Sequence, residues 1–264
     1  MIYIKSAQQI EAMSVAGAKL WDVLQQVKQA VRPGITTASL DKLAERLIRQ
    51  HGAVPSFLNY RSYRGGPYPA SLCTSVDDQI VHGIPSEGTV LTEGQIIGLD
   101  CGLIYDGWHA DSALTVGVGK ISDTSQRLIR VAEECFWLGA AQAIAGNHLG
   151  DVAHAVQSHA EANGCGVIRR LSGHGIGRAL HEDPEVCNFG EPGQKAKLRS
   201  GMTFALEPMI CLGSWEVCEL DNGWTYTTDD GSFSAHYEHT IAVTDKGLPR
   251  ILTLPGFVWG EAGR

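Results

Sequence analysis

Residues 96–118 read I-I-G-L-D-C-G-L-I-Y-D-G-W-H-A-D-S-A-L-T-V-G-V. Two apolar runs flank Asp106-Gly107, and Asp-Gly in that setting is a strong short-range signal for a β-hairpin. With those two residues as the turn, Tyr105 pairs with Trp108 and Gly102 lies opposite Asp111. Side chains alternate between faces along a strand, so Asp100 shares the face of Gly102 and becomes the diagonal neighbour of Asp111. Two carboxylates then converge in the middle of one apolar ribbon. Like charges are not buried together without a cation or a shared proton. The bland alternative, one aspartate capping a turn and the other facing solvent, fits less well because aspartate is unfavourable at strand centres.

Before the hairpin, residues 6–30 carry apolar side chains at helical spacing (Ile10, Met13, Leu20, Leu24, Val27), with Ser6 and Gln9 as a capping box and Pro33-Gly34 as the stop. A second helix starts at Thr37 or Ser39 and stops at Gly52. A short strand follows around 72–75. After the hairpin the pattern restarts, with a long amphipathic helix over 122–144. Gly34 to Gly52 is eighteen residues and so is Gly146 to Gly164; Leu40 and Val152 each stand six past the first glycine. H-G-I recurs at 82–84 and 174–176, and Gly94 precedes Asp100 by six residues as Gly201 precedes Glu207. Four matches in one order predict a duplicated helix–helix–strand unit, hence a pseudo-twofold arrangement that brings the acidic strands together.

Glu207 in M-T-F-A-L-E-P-M-I and Glu238 in F-S-A-H-Y-E-H-T-I-A-V form the second ribbon, with an excursion over 213–231 between their strands. His174, flanked by glycines in S-G-H-G-I-G-R, can join them. Four carboxylates and one imidazole suit a pair of divalent ions such as Mn, Fe(II), Co or Zn better than a thiolate-type structural zinc. A two-metal site activates a bridging water or hydroxide for hydrolysis. The residues alone therefore predict a di-metal hydrolase.

Bulk properties narrow the classes. A net charge of −8 over 264 residues, with no Lys/Arg cluster, argues against a nucleic-acid surface. Seven cysteines without a C-x-x-C pair, and no signal peptide, predict reduced thiols and a cytoplasmic setting. No apolar run reaches the length of a membrane span.

The motifs G-H-G-I-G-R-x-x-H-E-x-P (173–184), G-M-T-F-A-L-E-P (201–208), Y-E-H-T (237–240) and D-G-W-H-A-D (106–111) resemble type I methionine aminopeptidases. V-R-P-G-I-T-T (31–37) and C-T-S-V-D-D-Q-I-V-H-G-I-P (73–85) fit too, so the likeness runs from about residue 6 to 254. It matches the bacterial short form, without an N-terminal zinc-binding extension. The resemblance implies an α+β pita-bread (creatinase/aminopeptidase) fold: one catalytic domain over 1–264, with pseudo-repeats of about 6–118 and 122–245 around a central curved antiparallel sheet. It implies removal of the N-terminal methionine from nascent proteins and peptides, preferably before a small second residue, by a monomer that could dock at the ribosome surface. In its terms Asp111 and Glu238 bridge two divalent ions, Asp100 chelates one, and His174 and Glu207 bind the other. Glu207 also shuttles protons. His82 would hydrogen-bond the substrate near the scissile nitrogen, and His181 would contact the carbonyl oxygen.

The pocket for the first side chain would be lined by Phe57, Tyr60, Cys73, Leu180, Trp224 and a tyrosine of the aromatic loop. This chain departs from the family at Phe57, where a cysteine is usual, and at Leu180, where an aromatic is usual. The loop 61–71 is also longer, so either Tyr63 or Tyr68 could be the pocket tyrosine; Tyr68 better fits Y-P-x-S-x-C. Filling at Phe57 and emptying at Leu180 would reshape the pocket at similar volume. Two alternatives stand beside this reading. A proline-specific aminopeptidase or dipeptidase shares the ligand set but carries a large N-terminal domain. A catalytically silent binding relative would lack metal ligands, and all five are present.

Overall fold

The computed structural model describes residues 1–61 and 66–260; Tyr63 lies outside them. Helix α1 (Ala7–Ala30) opens with the expected capping box, Ser6 and Gln9 each accepting from the other's backbone amide. Helix α2 (Thr37–Gln50) begins at the first of its two expected starts, with Thr36 as the cap that accepts from the Ser39 amide. Short strands β1 (Val54–Pro55), β2 (Leu72–Val76) and β3 (Gln79–Val81) precede the hairpin of β4 (Ile96–Tyr105) and β5 (Trp108–Gly117). Asp106 and Gly107 both have positive φ, 50° and 70°, as a two-residue type I′ turn requires. The register pairs Tyr105 with Trp108 and Gly102 with Asp111.

The helix pair then recurs as α3 (Asp123–Gln142) and α4 (Leu149–Ala162). It is followed by β6 (Gly166–Val167), β7 (Gly173–Gly175), β8 (Glu182–Val186), β9 (Thr203–Leu206) and β10 (Met209–Cys211). The last strands are β11 (Val217–Glu219), β12 (Tyr226–Thr228), β13 (Ser234–His236), β14 (Glu238–Ala242) and β15 (Arg250–Ile251). The central sheet runs β1-β4-β5-β14-β9-β7-β8, with β2 added to β4 and β15 to β14. Its middle is the antiparallel β5–β14 pair, where the two halves of the chain meet.

The helices cover one face of this sheet. Leu99, Cys101 and Leu103 of β4 pack with Leu20, Leu24, Leu40 and Ile48 of α1 and α2. Phe204, Leu206 and Ile241 pack with Phe136 and Val152 of α3 and α4. Because odd positions of β4 face the helices, Asp100 and Gly102 must face the other side. This is the pita-bread architecture, two helix–helix–strand units around a curved antiparallel sheet. All seven cysteines are free, and no described helix is long and apolar enough to cross a membrane.

Two details were not visible in the alternation pattern. The excursion 213–231 is not a plain connection: β11 and β12 form a hairpin, and β12 adds to β3. These strands are three residues each and partly exposed, too short and too polar to announce themselves. The run from 233 to 243 is also not one strand. It breaks at Tyr237, so β13 pairs with β10 while β14 pairs with β9 and β5. Pro208 lies at the facing position between β9 and β10, and its missing N–H interrupts the ladder there.

Candidate metal centre

The sheet register builds the centre residue by residue. Asp100 and Glu238 both pair with Ala113, one from each side, so a small side chain separates two carboxylates in one row. Leu206 pairs with His239, and continuing that register by one residue sets Glu207 across from Glu238. Asp111 precedes Ala113 by two residues, and His174 pairs with Ala205, two before Glu207. All five therefore emerge on the face opposite the helices. Ligand atoms of Asp111, His174 and Glu238 lie within 4.8 Å of one another. His174 Nε2 is 3.8 Å from Asp111 Oδ2 and 3.8 Å from Glu207 Oε1.

Burial makes this a charged cluster in need of a partner. Asp111 and Glu238 are 4% and 2% exposed. Removal from water, reinforced by repulsion from neighbouring carboxylates (Asp100 and Glu207 on Asp111; Asp111, Glu207 and Asp100 on Glu238), pushes the Asp111 and Glu238 carboxyls well above their usual range. Burial does the same to Glu207, with Asp100 adding to it, and burial raises Asp100 to about 7. Asp100 Oδ1, Asp111 Oδ1 and Glu238 Oε1 are buried without a hydrogen-bond partner. Orphaned oxygens converging from neighbouring strands are what a cation would satisfy. The donor set fits hard or borderline divalent ions.

The surrounding groups hold the donors in place. The Gly175 carbonyl can only accept, so its 2.9 Å contact with His174 Nδ1 fixes the proton there. The Nε2 lone pair is left facing the carboxylates. Burial lowers His174 to about 4, which keeps it neutral. Thr240 Oγ1 accepts from the Asp111 amide and donates to the Asp111 carbonyl. Ser112 Oγ donates to the Glu238 carbonyl at 2.7 Å, and Asn188 Nδ2 to the Glu207 carbonyl at 2.9 Å.

A cavity of about 350 Å³ opens beside the carboxylates. Phe57, Tyr60, Tyr68, Cys73, Leu180 and Trp224 line it, together with His82 and His181, so every pocket residue expected from the sequence and described here reaches it. Tyr68 is 2% exposed and donates to the Gly83 carbonyl at 2.9 Å. Phe57 has room because position 102 is glycine: a Cβ there would stand 2.9 Å from the Phe57 ring. His82 has φ of 58°, a conformation that non-glycine residues seldom adopt and that tends to be retained at functional sites. Its ring meets Trp224 edge-on at 6.2 Å, which is how the β11–β12 hairpin comes to serve the cavity. The His181 ring lies 4.1 Å from that of His174, and His181 Nδ1 is 2.6 Å from the Tyr60 hydroxyl.

Sequence reasoning left His236 without a role, yet its Nε2 lies 3.6 Å from both Glu207 Oε2 and Glu238 Oε2. Its spacing of two from Glu238 was the available signal. Val81, Leu171, Ser172 and Met209 also line the cavity and were not singled out. His148, His154 and His159 lie on or cap α4, away from the carboxylates, near Asp151, Ser158 and Glu134 respectively.

Oxygen-rich donors beside a cavity sized for one side chain mark a metal-dependent peptide hydrolase. Residues 11–245 match the model of Metallopeptidase family M24, and the chain belongs to that family. It is 47% identical over 254 residues to the methionine aminopeptidase of Clostridium acetobutylicum, covering 96% of this chain and 99% of that one. The crystal structure of the methionine aminopeptidase from Rickettsia prowazekii superposes with a TM-score of 0.92 at 38% identity, covering 96% of this chain and 100% of that one. An Xaa-Pro dipeptidase from Bacillus anthracis shares the fold alone, with a TM-score of 0.74, 21% identity and 62% of its length covered.

Proposed function

We propose that this chain removes the N-terminal methionine from peptides and nascent proteins whose second residue is small. The observation that carries the reading is the abutment of an apolar cavity of about 350 Å³ on the carboxylate cluster, which suits an unbranched apolar first side chain. Asp111 and Glu238 would bridge two divalent ions, of Co, Mn, Fe(II) or Zn, with Asp100 holding one and His174 and Glu207 the other. Such ions supply Lewis-acid activation of water and neutralise charge that develops on the substrate.

The chain's own groups do the rest. Glu207, whose carboxyl burial pushes above its usual range, would in its ionised form take a proton from water and return it to the departing amine. His82 holds the scissile nitrogen. His181 is kept neutral because burial lowers it to about 3. With the Tyr60 hydroxyl, 2.6 Å away, donating to its Nδ1, His181 would carry its proton on Nε2 and offer that N–H to the carbonyl oxygen as negative charge builds there. His181→Ala should therefore lower kcat about 10²- to 10³-fold, the cost typical of losing one oxyanion donor. Metal content measured by elemental analysis should stay unchanged, and a loss of metal in that variant would reassign His181.

Specificity follows from Phe57 and Leu180. A kinetic panel of Met-, Leu- and Ala-initiated peptides with small second residues should give the highest kcat/KM for methionine. A preference for leucine over methionine would overturn the proposed substrate.

A further inference from the structure

Among the described residues, His236 is an imidazole against the carboxylates that neither the ligand set nor the substrate contacts use. Its backbone is clamped to β5: Thr115 Oγ1 donates to the His236 carbonyl at 2.9 Å and accepts from its amide at 3.0 Å. On its other edge it pairs with Met209 of β10. The side chain is 3% exposed, and Nε2 is buried with no hydrogen-bond partner. It sits equidistant, at 3.6 Å, from Glu207 Oε2 and Glu238 Oε2. That separation is just beyond a hydrogen bond, so a shift of a few tenths of an ångström closes either contact.

The two imidazoles address different oxygens of Glu207. His174 Nε2 lies nearest Oε1, while His236 Nε2 lies nearest Oε2. A carboxylate that gives one oxygen to a cation leaves the other in need of a donor when it is buried. Glu238 Oε1 is buried without a hydrogen-bond partner, and among the described residues the basic nitrogen within 4.0 Å of either Oε2 is His236 Nε2.

We propose that His236 is a positioning residue of the metal centre: its neutral imidazole donates Nε2–H to the Oε2 oxygens of Glu207 and Glu238 and holds both carboxylates in the rotamers that receive a divalent ion. This rests on the metal-centre reading and goes beyond its five-residue ligand set. His236 touches neither the substrate nor the ion. It sets the direction of two groups that do.

The test is titration of metal-free full-length protein with Mn²⁺ by calorimetry, for wild type, His236→Gln, His236→Leu and His236→Met. Glutamine keeps a buried N–H donor; leucine and methionine remove it while keeping apolar bulk. The two deletions should weaken Mn²⁺ binding 10- to 100-fold, the range typical of losing a partner that orients a ligand. His236→Gln should stay within about threefold of wild type by the same reasoning. Thermal unfolding of each metal-free variant checks that the chain folds, and methionine adapts to the site if leucine does not. Wild-type affinity in both deletion variants would overturn the proposal. An equal loss in His236→Gln would also overturn it, by making the imidazole itself a ligand. Absence of Mn²⁺ binding by wild type would instead take down the metal-centre reading on which it rests.

Discussion

Asp100→Ala should abolish turnover, lowering kcat/KM by about 10³-fold or more, beyond the 10- to 100-fold expected for losing an outer partner. In the proposed ligand set Asp100 is the one side chain besides the bridging pair that would hold its ion, so its removal would leave that ion with Asp111 and Glu238 alone. The fold should survive. Burial raises Asp100 to about 7, and its Oδ1 has no hydrogen-bond partner, so in metal-free protein its charged form is a cost to folding. Deleting both the charge and the unmet oxygen removes that cost. The metal-free variant should melt at or above the wild-type temperature, while elemental analysis finds one ion per chain where wild type holds two. Near-normal turnover would refute the assignment of Asp100, and a collapsed melting temperature would refute the argument about its charge.

The first half of this centre could be read from the chain because a local rule governs it. Asp106-Gly107 supplies the two positive φ angles of a tight turn, and once the turn is fixed, counting sets Gly102 opposite Asp111. Glu207 became visible through repetition, from the equal spacing after Gly94 and Gly201. What no local rule supplies is the partnership of β5 with β14, because those strands are more than a hundred residues apart. That pairing, with Ala113 as the gap between Asp100 and Glu238, turns two ribbons into one row. His236 stayed hidden for a related reason. Alternation sets it on the face of Glu238, two residues on, but its approach to Glu207 comes from the pairing of this run with the strand of Leu206 and Met209, which no local rule supplies. The contact of Phe57 with Gly102 was hidden too, since it needs the loop to fold back over β4.

Stripping the divalent ions should abolish turnover and leave a protein whose stability falls as pH rises from about 7.5 to 8.5. The sign comes from two opposed sets of groups. Asp100 is raised from 3.8 to about 7 in the folded chain, and Asp111, Glu207 and Glu238 are raised well above their usual values. Each holds a proton that the unfolded chain has already released, so their stabilisation is complete at low pH and is lost as pH climbs through the folded values. The imidazoles act the other way. His82, His109 and His174 are lowered to about 4, and His181, His236 and His239 to about 3, so the unfolded chain takes up protons first as pH drops below 6.5. At 6.5 the unfolded imidazoles are still about half protonated and oppose the carboxylates; by about 7.5 all six are nearly neutral in both states, which leaves the carboxylates in control from there up to the range where thiols titrate. A divalent ion displaces those protons, so it binds more tightly as pH rises. It stabilises by about 2.7 kcal/mol at a free concentration of 100 times its Kd. Thermal unfolding of chelator-treated protein at about pH 7.5, 8 and 8.5, with and without Mn²⁺, should show a falling metal-free Tm and a widening gap between the two curves. A metal-free Tm that rises across this window, or a gap that narrows, would mean that the four carboxylates are not held together as a proton-sharing cluster awaiting a cation.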